Sequence, residues 1–277
     1  MATQMQTNKI LSLVDVIGSE QRFKLYKNTV EKVLPSHENK DRYWMLYAKI
    51  AQEWLNNQKV TDKQSVLTCM FNAVKLGLNP DPVFGEIYFI PYSGKLTYQV
   101  GYKGMIKLSI NSGFVRDVRS GLIYEKDTWI YEETEKGQVF KFSPNFLAGK
   151  DRGKEIFGFS IFEKKDGSCS ACVMESHKID DIRADVLARM RGASTPWTGK
   201  FADEMRKKTV IRRHWKMQPK SVEIAQVIEH EEAIERGEEY KVNHPELEGI
   251  IDDLIDQSQQ QQEEVLPMDE VFGKAKA

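Results

Sequence analysis

Residues Gly85 to Gly113, GEIYFIPYSGKLTYQVGYKGMIKLSINSG, decide how the rest of the chain is read. Glu86, Tyr88 and Ile90 alternate with Ile87 and Phe89; Leu96, Tyr98 and Val100 alternate with Lys95, Thr97 and Gln99. Period-2 alternation on both sides of Pro91-Tyr92-Ser93-Gly94 predicts a β-hairpin with one buried face. The second strand runs into Gly101-Tyr102-Lys103-Gly104, where a helix starts. Glycine is an acceptable N-cap, and Gly104 places no side chain in the first turn. The unpaired N–H groups and the positive dipole end of such a helix attract anions. Lys103 adds a full charge there, and Lys107 follows one turn later on the same side. A phosphate fits that end. An isolated GYKG reads more simply as a Gly-capped helix with two solvated lysines.

Working outward, residues Glu20 to Leu34 and Asp41 to Leu55 have helical period, punctuated by Pro35-Ser36-His37 and Asn56-Asn57. Thr61, with Gln64 three residues on, suggests a capping box opening a third helix that ends at Gly77. Met70, Phe71 and Trp54 read as core. After the central helix, Phe114 to Tyr124 predicts a strand. Thr128 to Glu133 pairs with Gln138 to Pro144 across Glu135-Lys136-Gly137, and Ile156 to Lys164 with Ser168 to Met174 across Lys165-Asp166-Gly167. Ser176 is placed to cap a helix from His177 to about Met190. Arg191 to Thr195 forms a polar loop. Thr195 then caps a helix with Pro196 in its first position, running to about Met217. Antiparallel hairpins with helices before, among and after them argue for an α+β fold.

The charge is unevenly spread. A net charge of −1 over 277 residues hides 16 acidic and 4 basic residues from Glu223 to Ala277, against 25 acidic and 36 basic before that point. A body of net +11 with a tail of net −12 points to a polyanionic partner. Helical periodicity persists weakly from Val222 to Arg236 and from Pro245 to Ile255. Gln257 to Gln262 is low-complexity linker, and Leu266, Met268, Val271 and Phe272 form a small apolar island. Apolar runs are far too short to span a bilayer, and no signal-like region opens the chain. The three cysteines, an odd number, fit a reducing compartment, so a cytoplasmic location is expected.

Lys200 to Lys220 holds eight basic residues against Asp203 and Glu204. On a helical wheel Arg206 and Arg213 fall on nearly one side, while Lys208 and Arg212 lie on another that overlaps an apolar sector of Phe201, Met205, Ile211 and Trp215. Charge around so much of a helix suggests that it lies in a groove or beside a second charged surface. The planar fork of arginine favours phosphate. Tyr88, Tyr92, Tyr98, Tyr102, Trp129, Trp197 and Trp215 interleave with the basic residues. Such rings stack on bases in single-strand binders, but aromatic residues on strands are more often packing.

Other chemistry is less well supplied. Cys169-Ser170-Ala171-Cys172 is a CxxC, but residues three apart on a strand point to opposite faces. Only Cys69, His177 and His214 remain to complete a zinc site. Asp180, Asp181 and Asp185 fit compensation of a helix start better than a nuclease metal centre. Gly94-Lys95-Leu96 lacks the frame of a nucleotide-binding P-loop, and no GxGxxG follows a strand. No cofactor, no metal and no catalytic residue is expected.

IPYSGKLTYQVGYKGM, with the leading LGLNPDPVFGEIY, resembles the core signature of the RecT family of phage single-strand annealing proteins. A second block, Pro196-Trp197, Asp203-Glu204-Met205 and Lys208-Thr209-Val210-Ile211-Arg212-Arg213, matches in order and separation. The resemblance covers roughly residues 40 to 220 and implies ATP-independent annealing of complementary DNA strands in recombination. It implies oligomerisation into rings or helical filaments, a partner 5′→3′ exonuclease and the host single-strand-binding protein. The candidate DNA contacts are Lys95, Tyr102, Lys103, Lys107, Trp197, Lys200, Arg206, Lys207, Lys208, Arg212 and Arg213. The chain is expected to divide into a flexible arm (1–19), an annealing core (20–221) and an acidic, partly disordered tail (222–277). A single-strand binder that protects without annealing is the alternative.

Overall fold

In the computed structural model the described residues are 12–34, 39–135, 137–149, 151–190, 195–218 and 221–236. The punctuation at residues 35–37, residues 191–194 of the polar loop, and the tail segments beyond 236 lie outside them. These residues form two compact units, one ending at Gln99 and the other beginning at Val100. The fold is α+β.

The described part of the first unit is four helices and a hairpin. Helices α1 (Leu13–Ile17), α2 (Glu20–Val33), α3 (Lys40–Leu55) and α4 (Lys63–Lys75) precede β1 (Ile87–Tyr92) and β2 (Lys95–Val100). The arm expected through residue 19 includes α1, opened by a Ser12/Asp15 capping box and anchored by buried Leu13 and Ile17. Tyr26, Tyr47, Leu55, Leu67, Met70 and Phe71 are fully buried at the centre. The α4 cap is Asp62, not Thr61: its carboxylate accepts from Gln64 N (3.0 Å) and Ser65 N (3.1 Å). A carboxylate is the better partner for a positive helix end. Thr61 is spent on the hairpin tip, where its N–H donates to Gly94 O (2.8 Å). The tip is a two-residue turn with Ser93 at φ 48 and Gly94 at φ 82, the left-handed pair that matches strand twist. Ile87, Leu96, Tyr98 and Val100 form the buried face; Tyr88, Ile90 and Tyr92 face solvent.

The second unit is built on a three-stranded antiparallel sheet in the order β3 (Val115–Tyr124), β6 (Glu155–Lys164), β7 (Cys169–Glu175). Ser160 lies opposite Ser120 on one side and Cys172 on the other. β4 (Thr128–Thr134) and β5 (Gly137–Ser143) form a separate ladder in which Tyr131 pairs with Phe140. Phe140 and Phe142 pack on Phe159 of β6, at 4.8 and 5.0 Å between ring centroids. Helix α5 (Tyr102–Asn111) packs on β3; α6 (Ser176–Met190) packs on β6 and β7; α7 (Ala202–Met217) crosses β6, β3 and β7. Ser176 lies inside α6, and its hydroxyl donates to Glu155 Oε1 (2.6 Å) instead of capping the helix.

The expected long helix from Pro196 is two pieces. Thr195 caps only a 3-10 turn, Pro196–Thr198; Gly199 is extended (φ −117, ψ −164), and α7 starts at Ala202. The acidic tail begins as a packed helix, α8 (Val222–Arg236), with Ile224, Val227, Ile228 and Ala233 buried. α8 packs on α5.

Candidate nucleic-acid interface

α5 presents the anticipated helix start. Gly101 is the N-cap, with φ −74 and ψ 163 and no side-chain cap bond, so no side chain of the cap quenches the first-turn N–H groups. Lys103 is exposed and makes no ion pair with another described residue; Lys107, one turn on, is half-buried, as is Tyr102. Gly104 is buried with Met105, Leu108 and Ser109, so it serves the packed face and does not open the first turn to a ligand. Lys95 is exposed on β2 in the first unit.

The cations of α7 fall into three groups. Arg206 is internal, 8% exposed. Its Nε and Nη2 donate to Glu155 Oε1 (2.9 and 2.7 Å), and Nη1 donates to Asp180 Oδ1 (2.5 Å). All three guanidinium nitrogens therefore have carboxylate partners, and Arg206 is a structural bridge from α7 to β6 and α6, not an open phosphate contact. Its side chain also borders a cavity of about 280 Å3 lined by Lys154, Arg183, Trp197 and Asp203. Lys207 pairs with Glu204 along its own helix.

A second group, Lys208, Arg212 and Lys216, repeats every four residues and so forms one stripe. Arg212 Nε lies 3.1 Å from Glu231 Oε2, and Lys216 Nζ donates to Glu232 Oε1 at 2.8 Å. Burial pushes the Lys208 ammonium below the usual lysine range; Glu231 opposes that shift and Arg212 reinforces it. Arg213 makes the third group: it is exposed, and its charge reaches Glu175 and Cys172 on β7. Lys200, before the helix, is exposed with its ammonium 5.0 Å from the Phe201 ring centroid.

Trp197 is the other candidate that the structure places inside. It is 3% exposed and packs with Cys172, Met174, Ile179 and Val210, so its ring has no face for a base. Tyr98 and Trp215 are likewise buried, and Trp129 packs edge-on against Phe157 at 4.9 Å. Of the seven interleaved aromatic residues, Tyr92 (69% exposed) and Tyr88 remain open, both on the hairpin of the first unit. Their alternation with Ile87 and Phe89 marked a shared face; which face was buried needed the packing partners.

His214 of α7 is fully buried between two strands. Ser160 of β6 lies 2.8 Å from its Nδ1 and Ser170 of β7 lies 2.9 Å from its Nε2. Burial pushes the imidazole pKa down to about 4. The two hydroxyls satisfy both ring nitrogens, so this is a core polar pin that fixes α7 on the sheet. Among the described residues no group of three or more His, Cys, Asp or Glu side chains is placed to hold a metal ion. Asp180 is held by Arg206, and Cys169 is exposed while Cys172 is buried, on opposite faces of β7.

The sequence profile of the RecT family matches residues 47–245, a stretch containing both the α5 helix start and all of α7. The chain belongs to the RecT family. Protein RecT of Escherichia coli (strain K12) is 28% identical over 182 residues, covering 62% of this chain and 64% of that protein. An uncharacterized protein, YqaK of Bacillus subtilis (strain 168), is 35% identical over 65 residues, covering 24% of this chain and 23% of its own length. The matched part thus spans less than two thirds of either relative. No described helix is long and apolar enough to cross a membrane.

Proposed function

We propose that this RecT-family protein anneals complementary DNA strands in homologous recombination without nucleotide hydrolysis. It holds one strand, then the nascent duplex, by the phosphate backbone, and it does so as an oligomer, a ring or a helical filament. The observation that supports the reading is that Lys103, at a helix start with no side-chain cap, and Arg213 of α7 are both exposed cations within the family match. Base pairing supplies its own driving force, about 1.4 kcal/mol per stacked step, so tens of steps need no added chemical energy. The protein supplies alignment and neutralises the repulsion between strands. The partners that fit this role are a 5′→3′ exonuclease producing the strands and a host single-strand-binding protein.

Pairing of two complementary labelled oligonucleotides tests the proposal. Added protein is expected to speed pairing equally with ATP, without it, or with a non-hydrolysable analogue. Slower pairing would identify a protective single-strand binder, and magnesium-dependent degradation of the labelled strands would identify a nuclease.

A further inference from the structure

The acidic helix α8 carries carboxylates to the second group of cations on α7, beside the exposed Arg213 that the phosphate-binding reading uses. Lys208, Arg212 and Lys216 form a stripe along α7, one turn apart, and each meets a negative charge from α8. Arg212 has Glu231 at 3.1 Å, Lys216 has Glu232 at 2.8 Å, and Lys208 lies in the field of Glu231. The same helix packs on α5, whose first turn bears Lys103. Two neighbouring carboxylates of α8 thus occupy positions beside the stripe that a phosphate would need to reach. The pairs differ in accessibility: the Lys216 and Glu232 side chains are 34% and 41% exposed, whereas Glu231 is 4% exposed. A polyanion approaching from solvent therefore meets Lys216–Glu232 first.

We propose that α8 is an intramolecular phosphate mimic: Glu232, and behind it Glu231, compete with the DNA backbone for Lys216 and Arg212. This rests on the DNA-binding reading given above. Competition of this kind sets a threshold. A short or isolated anion does not displace carboxylates held on the same chain, whereas a polymer engaging Lys103 and Arg213 at the same time does, because its further contacts become intramolecular. Exposed ion pairs are weak, typically below about 1 kcal/mol, so exchange at Lys216 is within reach of one phosphate contact.

The test is a salt titration of single-stranded oligonucleotide binding by the full chain and three variants. Glu232→Gln is expected to tighten binding at low salt by roughly two- to fivefold. It is also expected to steepen the slope of log affinity against log salt by about 0.7, the increment for one more phosphate contact on a single strand. Adding Glu231→Gln removes the carboxylate 3.1 Å from Arg212 and is expected to steepen the slope further. Glu223→Gln removes the same charge from the exposed first turn of α8, away from those pairs, and is expected to leave the slope unchanged. A Glu232→Gln protein with wild-type melting and wild-type slope overturns the inference, as does an equal gain from Glu223→Gln. Should the double variant melt early, Glu232→Gln alone decides. If the unmodified chain shows no salt-dependent binding to single strands, the DNA reading itself falls, and the inference with it.

Discussion

Lys103 on α5 and Arg206 on α7 are both cations of a basic motif, yet they sit in opposite environments. Lys103 stands in solvent at a helix start whose glycine cap offers no side chain, without an ion pair among the described residues. Arg206 is buried, with every guanidinium nitrogen bonded to Glu155 or Asp180. Charge alone therefore does not tell which cation is accessible to a phosphate. What distinguishes them is whether the fold has already supplied the counter-charge.

The largest expected effect lies on the buried side of this comparison. Arg206→Ala strips Glu155, itself largely buried, of its counter-charge. Breaking such a pair from one side costs about 3 kcal/mol, the low end for buried pairs because Asp180 remains half-open to water. Thermal melting is expected to fall steeply; an unshifted melting temperature would return Arg206 to the list of open phosphate contacts.

Next comes the pin at His214. Its folded-state pKa of about 4 lies below the ordinary value of 6.5, so the unfolded chain binds the proton more tightly. The stability this confers is fully present above about pH 6.5 and is lost as pH falls from there towards 4, by up to roughly 3 kcal/mol. Denaturant melts across that window are expected to show the loss in the parent chain and a flatter profile in His214→Gln. Identical pH profiles would mean that other groups drive the acid sensitivity.

The third effect probes how tightly α7 is pressed to the sheet. A Cβ added at Gly158 of β6 would stand 2.8 Å from Val210 Cγ2 and 3.0 Å from Ile179 Cδ1. Gly158→Ala is expected to cost about 1–3 kcal/mol by overpacking, again read by melting, while a neutral result would mean that α7 has room to shift.

The hairpins and most helices were legible because they rest on local rules. Alternation with Gly-bearing turns marked β3 to β7 nearly to the residue, and the periodicity of Val222 to Arg236 marked α8. Local rules also set the limits. Thr61 and Asp62 both qualify as caps, and the choice was made by Gly94, which engages Thr61 from a hairpin 33 residues away. Arg206 and Arg213 share a helical side in projection, but Arg206 meets Glu155, 51 residues earlier in the chain, while Arg213 meets solvent. Trp197 matched the family motif, yet a motif does not state whether a residue is kept for packing or for contact. Arg212 and Lys216 show the same gap: their counter-charges come from the segment read as a separate acidic tail.

The smallest effect on stability is the most direct test of the account. Lys103→Ala, compared with Arg206→Ala on the same single-stranded oligonucleotide, separates binding cations from structural ones in the salt dependence of affinity. Lys103→Ala is expected to keep the parent melting temperature, to anneal more slowly and to lower the salt slope by about 0.7. The loss should be equal on any base sequence, because phosphates carry no sequence information. Folded Arg206→Ala, measured well below its reduced melting temperature, is expected to keep the parent slope. A Lys103→Ala protein with the parent slope, or a folded Arg206→Ala protein with a lowered one, would contradict the division between open and internally paired cations.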